Sequence, residues 1–299
     1  MSVPAAASTP ERILQRLDWQ IIRRLDGRLQ GDYRSLFYGY GVDFADLREY
    51  QPTDDIRYID WNVTARMDSP YVRHYVEDRE ITAWFLLDLS PSVDFGTVKS
   101  GKRAVLVDFV GTLARLLTRH GNHVGAMLHA DGMHRTIPAR GGRNQVLLLM
   151  NDLLRQPRLK RAPFTDLSPL LISALNSIKR RSLIFVISDF IAVPGWERAL
   201  RLLNRRHEVM AVRLWDPREA ELPDLGSIIM EDSETGEQIY VDTGDPRFRR
   251  NFAEATTRRE AELKQAFERA GVDALSLSTD EDLVRAIVRF AALRRQRRM

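Results

Sequence analysis

The chain has 299 residues, none of them cysteine, and its 45 Lys and Arg against 41 Asp and Glu leave a formal net charge of +4. That length accommodates one large α/β domain plus a smaller addition, with a core that needs neither disulfide nor metal to hold it. Disulfides, thiolate zinc sites and cysteine nucleophiles are excluded, and no basic stripe interleaved with aromatics marks a nucleic-acid surface, so nucleic acid is not the expected partner and the tail 294-RRQRRM-299 reads as a solvated helix end.

The start, MSVPAAASTPERIL, lacks a basic segment followed by a continuous apolar run. No later segment approaches the roughly 18 apolar residues of a membrane span, and the expected location is the cytoplasm. Residues 9–29 put Ile13, Leu14, Leu17, Ile21, Ile22 and Leu25 at helical spacing, with Thr9 as N-cap and Pro10 in the first turn. Glycines and polar–aromatic alternation between 35 and 81 predict turns and short strands. Residues 1–80 are therefore expected to form an N-terminal helix and short-strand appendage, and residues 81–299 the main domain.

From Ile81 the pattern becomes apolar strands separated by helices. Strands are predicted over 81–87, 123–130, 182–189, 207–216 and 273–279, with 133–139 as a hairpin partner of the second. Helices are predicted over 98–121, 144–156, 167–181, 194–206, 246–269 and 281–295, and residues 227–232 and 237–242 read as a further hairpin. Strands that are apolar along their whole length are buried on both faces, and alternation with helices makes the sheet mostly parallel. The expected fold is a doubly wound α/β sheet.

The stretch 84-WFLLDLSPSVDFG-96 leaves such a strand through Asp88, Ser90 and Ser92. Ligands of open parallel sheets sit beyond the carboxyl ends of the strands, and Asp189 ends a second apolar strand. Carboxylates and hydroxyls without histidine suit a hard cation such as Mg²⁺. Alternate side chains of an extended strand exit would bring Asp88, Ser90 and Ser92 to one side, and Thr165 offers one more hydroxyl.

Read together, 88-DLSPS-92, 165-TDL-167 and 187-ISD-189 resemble the metal-ion-dependent adhesion site of von Willebrand factor A domains. The resemblance implies Asp88, Ser90, Ser92, Thr165 and Asp189 as ligands of Mg²⁺ or Mn²⁺, with an acidic partner residue completing the shell. Val93 stands where such sites usually carry Met, and the loop RAPFTDL lacks their usual glycines. Upstream, the pattern D-F-x-x-L-R-x-Y followed by D-D-x-R-x-I-D-W-x-x-x-A-R, running from Asp43 to Arg66, resembles the signature of the bacterial domain-of-unknown-function 58 family. That resemblance implies a non-enzymatic adaptor that partners a MoxR-type AAA+ ATPase and assists the assembly, maturation or metal loading of a client protein. From the residues themselves, Asp54, Asp55, Arg57, Asp60, Trp61 and Arg66 interleave charge with aromatics and are expected to form an ion-pair lattice over an aromatic patch that contacts the partner.

The competing reading is a metal-dependent hydrolase of phosphate esters, whose general base would be Asp94 or Asp166. A haloacid-dehalogenase mechanism needs a second Asp where Ser90 stands. No nucleophile elbow and no Walker A sequence is present. His120, His123, His129 and His134 lack the spacing of a zinc motif, and 140-RGGRNQ-145 reads as a turn and helix start.

Overall fold

The computed structural model describes residues 9–28, 43–52, 54–67, 69–76, 80–96, 100–130, 133–159 and 164–298. The stretch 29–42, where the predicted N-terminal turns begin, and residues 160–163 of the 158–166 loop lie outside them.

Six strands make the central sheet: β3 (Thr82–Asp88), β4 (His123–Ala130), β5 (Met133–Arg140), β6 (Leu183–Ser188), β7 (Glu208–Trp215) and β10 (Asp273–Ser278). Their order is β10-β7-β6-β3-β4-β5, with every pairing parallel except the β4–β5 hairpin. The chain runs outward from β3 to β4 on one side and returns to β6 on the other. The order therefore reverses between β3 and β6, which places a crevice at their carboxyl ends.

Two helical layers cover the sheet, and the strands feed both. Phe85 and Leu87 of β3 point into one core with α1 (Pro10–Leu17), α4 (Lys102–Arg119), α5 (Arg143–Arg155) and the start of α9 (Leu283–Arg298). Leu86 points into the other, with α6 (Ser168–Ser177), α7 (Trp196–Arg206) and α8 (Pro246–Ala270). This two-sided burial is why the strands read as continuous apolar runs. Phe85 stacks on Phe185 at 5.3 Å between ring centroids, and Phe109 meets Phe185 edge-on.

The N-terminal helix starts as its sequence dictates, with the Thr9 side chain accepting from Arg12 N and Pro10 in the first turn. A π-helical turn at Asp18–Ile22 interrupts it before α2 (Arg23–Arg28). Ile13, Leu14, Leu17, Ile22 and Leu25 are buried in the main core, so this helix completes the body of the sheet domain. The short strands behave differently: β1 (Asp43–Glu49) and β2 (Tyr71–Val76) pair antiparallel in a sheet of their own, with the one-turn helix α3 (Trp61–Thr64) between them.

Helix α6 is shorter than its sequence pattern suggests. Ile178 turns to extended backbone at ψ 103° and buries its side chain in the second core, which ends the helix at Ser177. The second hairpin, β8 (Ser227–Glu231) with β9 (Gln238–Asp242), forms a separate two-stranded ribbon. No helix of the described residues is long and apolar enough to cross a membrane.

Candidate functional site

The carboxyl ends of β3 and β6 gather the oxygen side chains. Asp88 closes β3 and is fully buried. Its Oδ1 accepts from Ser90 N at 3.0 Å, and its Oδ2 accepts from the hydroxyl of Ser188, the last residue of β6, at 2.6 Å. Burial, and next the neighbouring Asp189 carboxylate, push the Asp88 carboxyl up to about 6, against the hydrogen bonds from Ser188 and Ser90 that favour its ionised form.

Ser90 and Ser92 do converge, but not along an extended strand. The chain turns into a 3₁₀ helix at Pro91–Asp94 with Pro91 in its first turn, and this turn sets the two hydroxyl oxygens 3.0 Å apart. Both side chains are buried. Thr165 arrives from the loop before α6; its carbonyl accepts from Val193 N at 2.9 Å, which ties that loop to the segment leaving β6.

Asp189 follows β6 at an irregular point of the backbone. Phe190 has a positive φ of 57°, held by ring contacts with Phe267 at 4.9 Å and Trp196 at 5.3 Å. Such a conformation is rare for a bulky residue and concentrates at functional sites. It lets Phe190 N donate to Ser188 Oγ at 2.8 Å and Ile191 N donate to Asp189 Oδ1 at 3.0 Å. The other Asp189 oxygen accepts from Lys102 Nζ at 2.7 Å.

Lys102 and Glu219, which the sequence reading did not single out, join Asp189 at this end of the sheet. Lys102 Nζ also donates to Glu219 Oε1 at 2.6 Å, and its side chain is only 1% exposed. Burial would depress its pKa, but Asp189 and then Glu219 outweigh that and hold it above the ordinary lysine value. Both Asp189 oxygens thus accept a hydrogen bond, as both Asp88 oxygens do, and each keeps a further lone pair.

A further group enters from the β8–β9 hairpin. Glu234 Oε1 accepts from Thr165 Oγ1 at 3.0 Å and from Ser92 N at 3.3 Å. Its Oε2 is buried without a hydrogen-bond partner among the described residues. Burial raises the Glu234 carboxyl above its ordinary value, opposed by the bonds from Thr165 and Ser92. Among the described residues no cluster of three or more His, Cys, Asp or Glu side chains assembles a metal-ligand set; the buried group at these strand ends is made of hydroxyls and carboxylates. Its donor chemistry fits a hard, oxygen-seeking cation. The orphaned Glu234 oxygen and the buried Asp88 carboxylate, which no cation pairs with among the described residues, supply the local demand for positive charge; Asp189 already has Lys102.

Among the described residues the upstream segment carries local ion pairs. Arg48 grips Asp54 with two hydrogen bonds of 2.7 and 2.8 Å, and Arg57 pairs with its neighbour Asp55 at 2.6 Å. Asp60 caps α3 by accepting from Asn62 N and Val63 N. Trp61 is exposed to 69%, and Ile56, Tyr58, Met67 and Arg66 of the same segment are exposed as well.

The candidate bases of a hydrolase are engaged elsewhere. Asp94 pairs with Arg103 at 3.2 Å and Arg158 at 3.6 Å, and Asp166 accepts from Ser168 N at the start of α6. Of the four histidines close in sequence, His129 and His134 stack across the β4–β5 hairpin at 4.6 Å, His120 bonds the Leu116 carbonyl, and His123 lies near Glu80.

The sequence model of a family described as "Protein of unknown function DUF58" matches residues 46–262. An uncharacterized protein of Mycobacterium tuberculosis is 36% identical over 283 residues, covering 95% of this chain and 89% of its own length. An uncharacterized protein of Mycobacterium avium is 34% identical over 160 residues, 54% of this chain and 94% of the relative. Among solved structures, BatB from Bacteroides thetaiotaomicron is 15% identical with a TM-score of 0.47, covering 72% of this chain and 99% of that one. The SpRpn10 VWA domain is 13% identical with a TM-score of 0.39, covering 71% and 95%.

Proposed function

This chain belongs to the DUF58 family of proteins of unknown function, and within it we propose that the chain is a metal-dependent protein-binding adaptor and not an enzyme. Asp88, Ser90, Ser92, Thr165 and Asp189 would hold Mg²⁺ or Mn²⁺. The ion would supply an electrophilic position for an acidic side chain of the partner. The observation that carries this reading is the buried Asp88 carboxylate at the strand-order reversal, with hydroxyls around it and Asp189 as a charged neighbour. A fully buried carboxylate is costly unless something positive is brought to it.

The proposed partner is a MoxR-type AAA+ ATPase, with the chain assisting assembly, maturation or metal loading of a client in the cytoplasm. The resemblance of the Asp43–Arg66 signature supports that partner. The segment that carries Trp61, Asp54, Asp55, Arg57, Asp60 and Arg66, with Trp61, Arg57 and Arg66 exposed, is the proposed second contact. The hydrolase reading is disfavoured by the commitment of Asp94 to two arginines and of Asp166 to a helix start.

Co-purification of the full chain with a MoxR-type ATPase from the same genome, with Mg²⁺, with chelator, and with Asp88→Ala, tests the proposal. Recovery of the complex only with metal and intact Asp88 is expected. Equal recovery in all three arms would remove the ion from the contact.

A further inference from the structure

The β8–β9 hairpin is an exposed ribbon with one buried carboxylate at its tip. Ile229, Ile239 and Tyr240 are exposed to 65%, 53% and 74%, and of its strand residues only Val241 is buried. Glu234, in the turn between the strands, is nonetheless only 5% exposed. A solvent-facing turn has no packing reason to bury an ionisable side chain, and burying one is unfavourable without strong partners.

The turn is built to aim that side chain. Asp232 Oδ1 accepts from Glu234 N at 2.9 Å and from Thr235 N at 2.8 Å, and Gly236 takes a positive φ of 72° while its N–H bonds the Asp232 carbonyl at 2.8 Å. Glu234 then reaches back 142 residues in sequence to Ser92 N and also to the Thr165 hydroxyl, while its second oxygen stays buried without a partner.

We propose that Glu234 is the site's own carboxylate: it stands where the acidic residue of a partner would sit, completes the shell of the bound cation through its free oxygen, and keeps the site closed until a partner lifts the hairpin. The proposal rests on the reading of the Asp88 pocket as a cation site. The hairpin suits this role because a two-stranded ribbon is marginally stable by itself and this one has little apolar anchorage along its strands. A partner carboxylate competes with an internal one for a single position, so the internal contact sets the threshold for binding.

The test is titration of the full chain with Mn²⁺, followed by the loss of the free-ion electron paramagnetic resonance signal, for wild type, Glu234→Gln and Asp88→Ala, each checked for a cooperative melt. Hydrogen exchange at the amides of residues 227–242 is measured in parallel. Glu234→Gln is expected to weaken Mn²⁺ by roughly tenfold or more, and Mn²⁺ is expected to slow hairpin exchange in wild type alone. Should Glu234→Gln fail to melt cooperatively, the comparison is repeated with Asp232→Ala, which loosens the turn without touching the carboxylate and is expected to act in the same direction. Equal Mn²⁺ affinity in wild type and the hairpin variant, or no slowing in wild type, overturns the proposal; the cation site then stands if Asp88→Ala alone loses the ion. Absence of Mn²⁺ binding in every protein overturns both readings.

Discussion

Ser188 donates its hydroxyl hydrogen to Asp88 Oδ2 at 2.6 Å, joining the ends of the two strands between which the sheet order reverses. The same Ser188 oxygen accepts from Phe190 N, so one hydroxyl fixes both the Asp88 rotamer and the irregular turn that carries Asp189. Pre-positioned oxygens of this kind lower the ordering cost of capturing a cation.

The Asp88 carboxyl, raised from 3.8 to about 6, carries an ionisation cost on the order of 3 kcal/mol at neutral pH. Asp88→Asn removes that cost but can accept only one of the two hydrogen bonds given by Ser90 N and Ser188 Oγ, so the metal-free variant is expected to keep a cooperative melt while losing any rise in melting temperature on adding Mg²⁺. Thermal melts of both proteins with and without Mg²⁺ check this. A variant that gains as much from Mg²⁺ as its parent would refute it.

Lys102 is the only cation bonded to both Asp189 and Glu219 among the described residues, with its side chain and that of Asp189 each 1% exposed. Lys102→Met leaves two carboxylates facing each other in a poorly solvated pocket. Removing one partner of a buried pair costs about 3–5 kcal/mol, and denaturant unfolding of the variant should show a loss of that size. A loss below about 1 kcal/mol, the range of exposed pairs, would mean that water reaches the pocket.

His207 is buried with no hydrogen-bond partner for either ring nitrogen among the described residues. Burial, and then the nearby Arg206 and Arg181, hold its pKa below the ordinary 6.5. As pH falls through 6.5 the unfolded chain takes up a proton that the folded chain refuses, so stability falls with pH from there down to the folded value and is unaffected above both. His207→Leu should flatten this segment of the stability–pH curve, measured by urea midpoints between pH 7.5 and pH 5.5, roughly one unit either side of the ordinary histidine value. An unchanged slope would assign the dependence to another group.

Trp61 is exposed to 69% on the one-turn helix that Asp60 caps. Trp61→Ala should leave stability within about 0.5 kcal/mol, as for most exposed positions, and, if the proposed ATPase docks on this face, weaken its capture. Asp60→Ala, which removes the cap, should instead cost about 1 kcal/mol. Undiminished capture by Trp61→Ala would move the second contact elsewhere.

The sheet was legible because each central strand is apolar on both faces, as with Phe85, Leu86 and Leu87 pointing alternately into the two cores. Asp88 and Asp189 were legible for a related reason: each is the first charge after such a run. What periodicity could not supply is strand order, and with it the fact that β3 and β6 are neighbours. Lys102 left a usable signal, since a helix following a strand in a parallel sheet begins at the site's edge and a cation in its first turn faces inward. Ser188 was within reach too, as the strand residue beside Asp189. Glu234 left none, because its turn reads as any polar hairpin and only the fold carries it 142 residues back to Ser92.

The central claim is that Asp88 and its surrounding hydroxyls form a cation site. Isothermal titration of Mg²⁺ into the full chain and into Asp88→Ala tests it most directly. The account predicts saturable binding of one ion per chain to the parent and none to the variant. Equal binding by both proteins, or no binding by either, would contradict it.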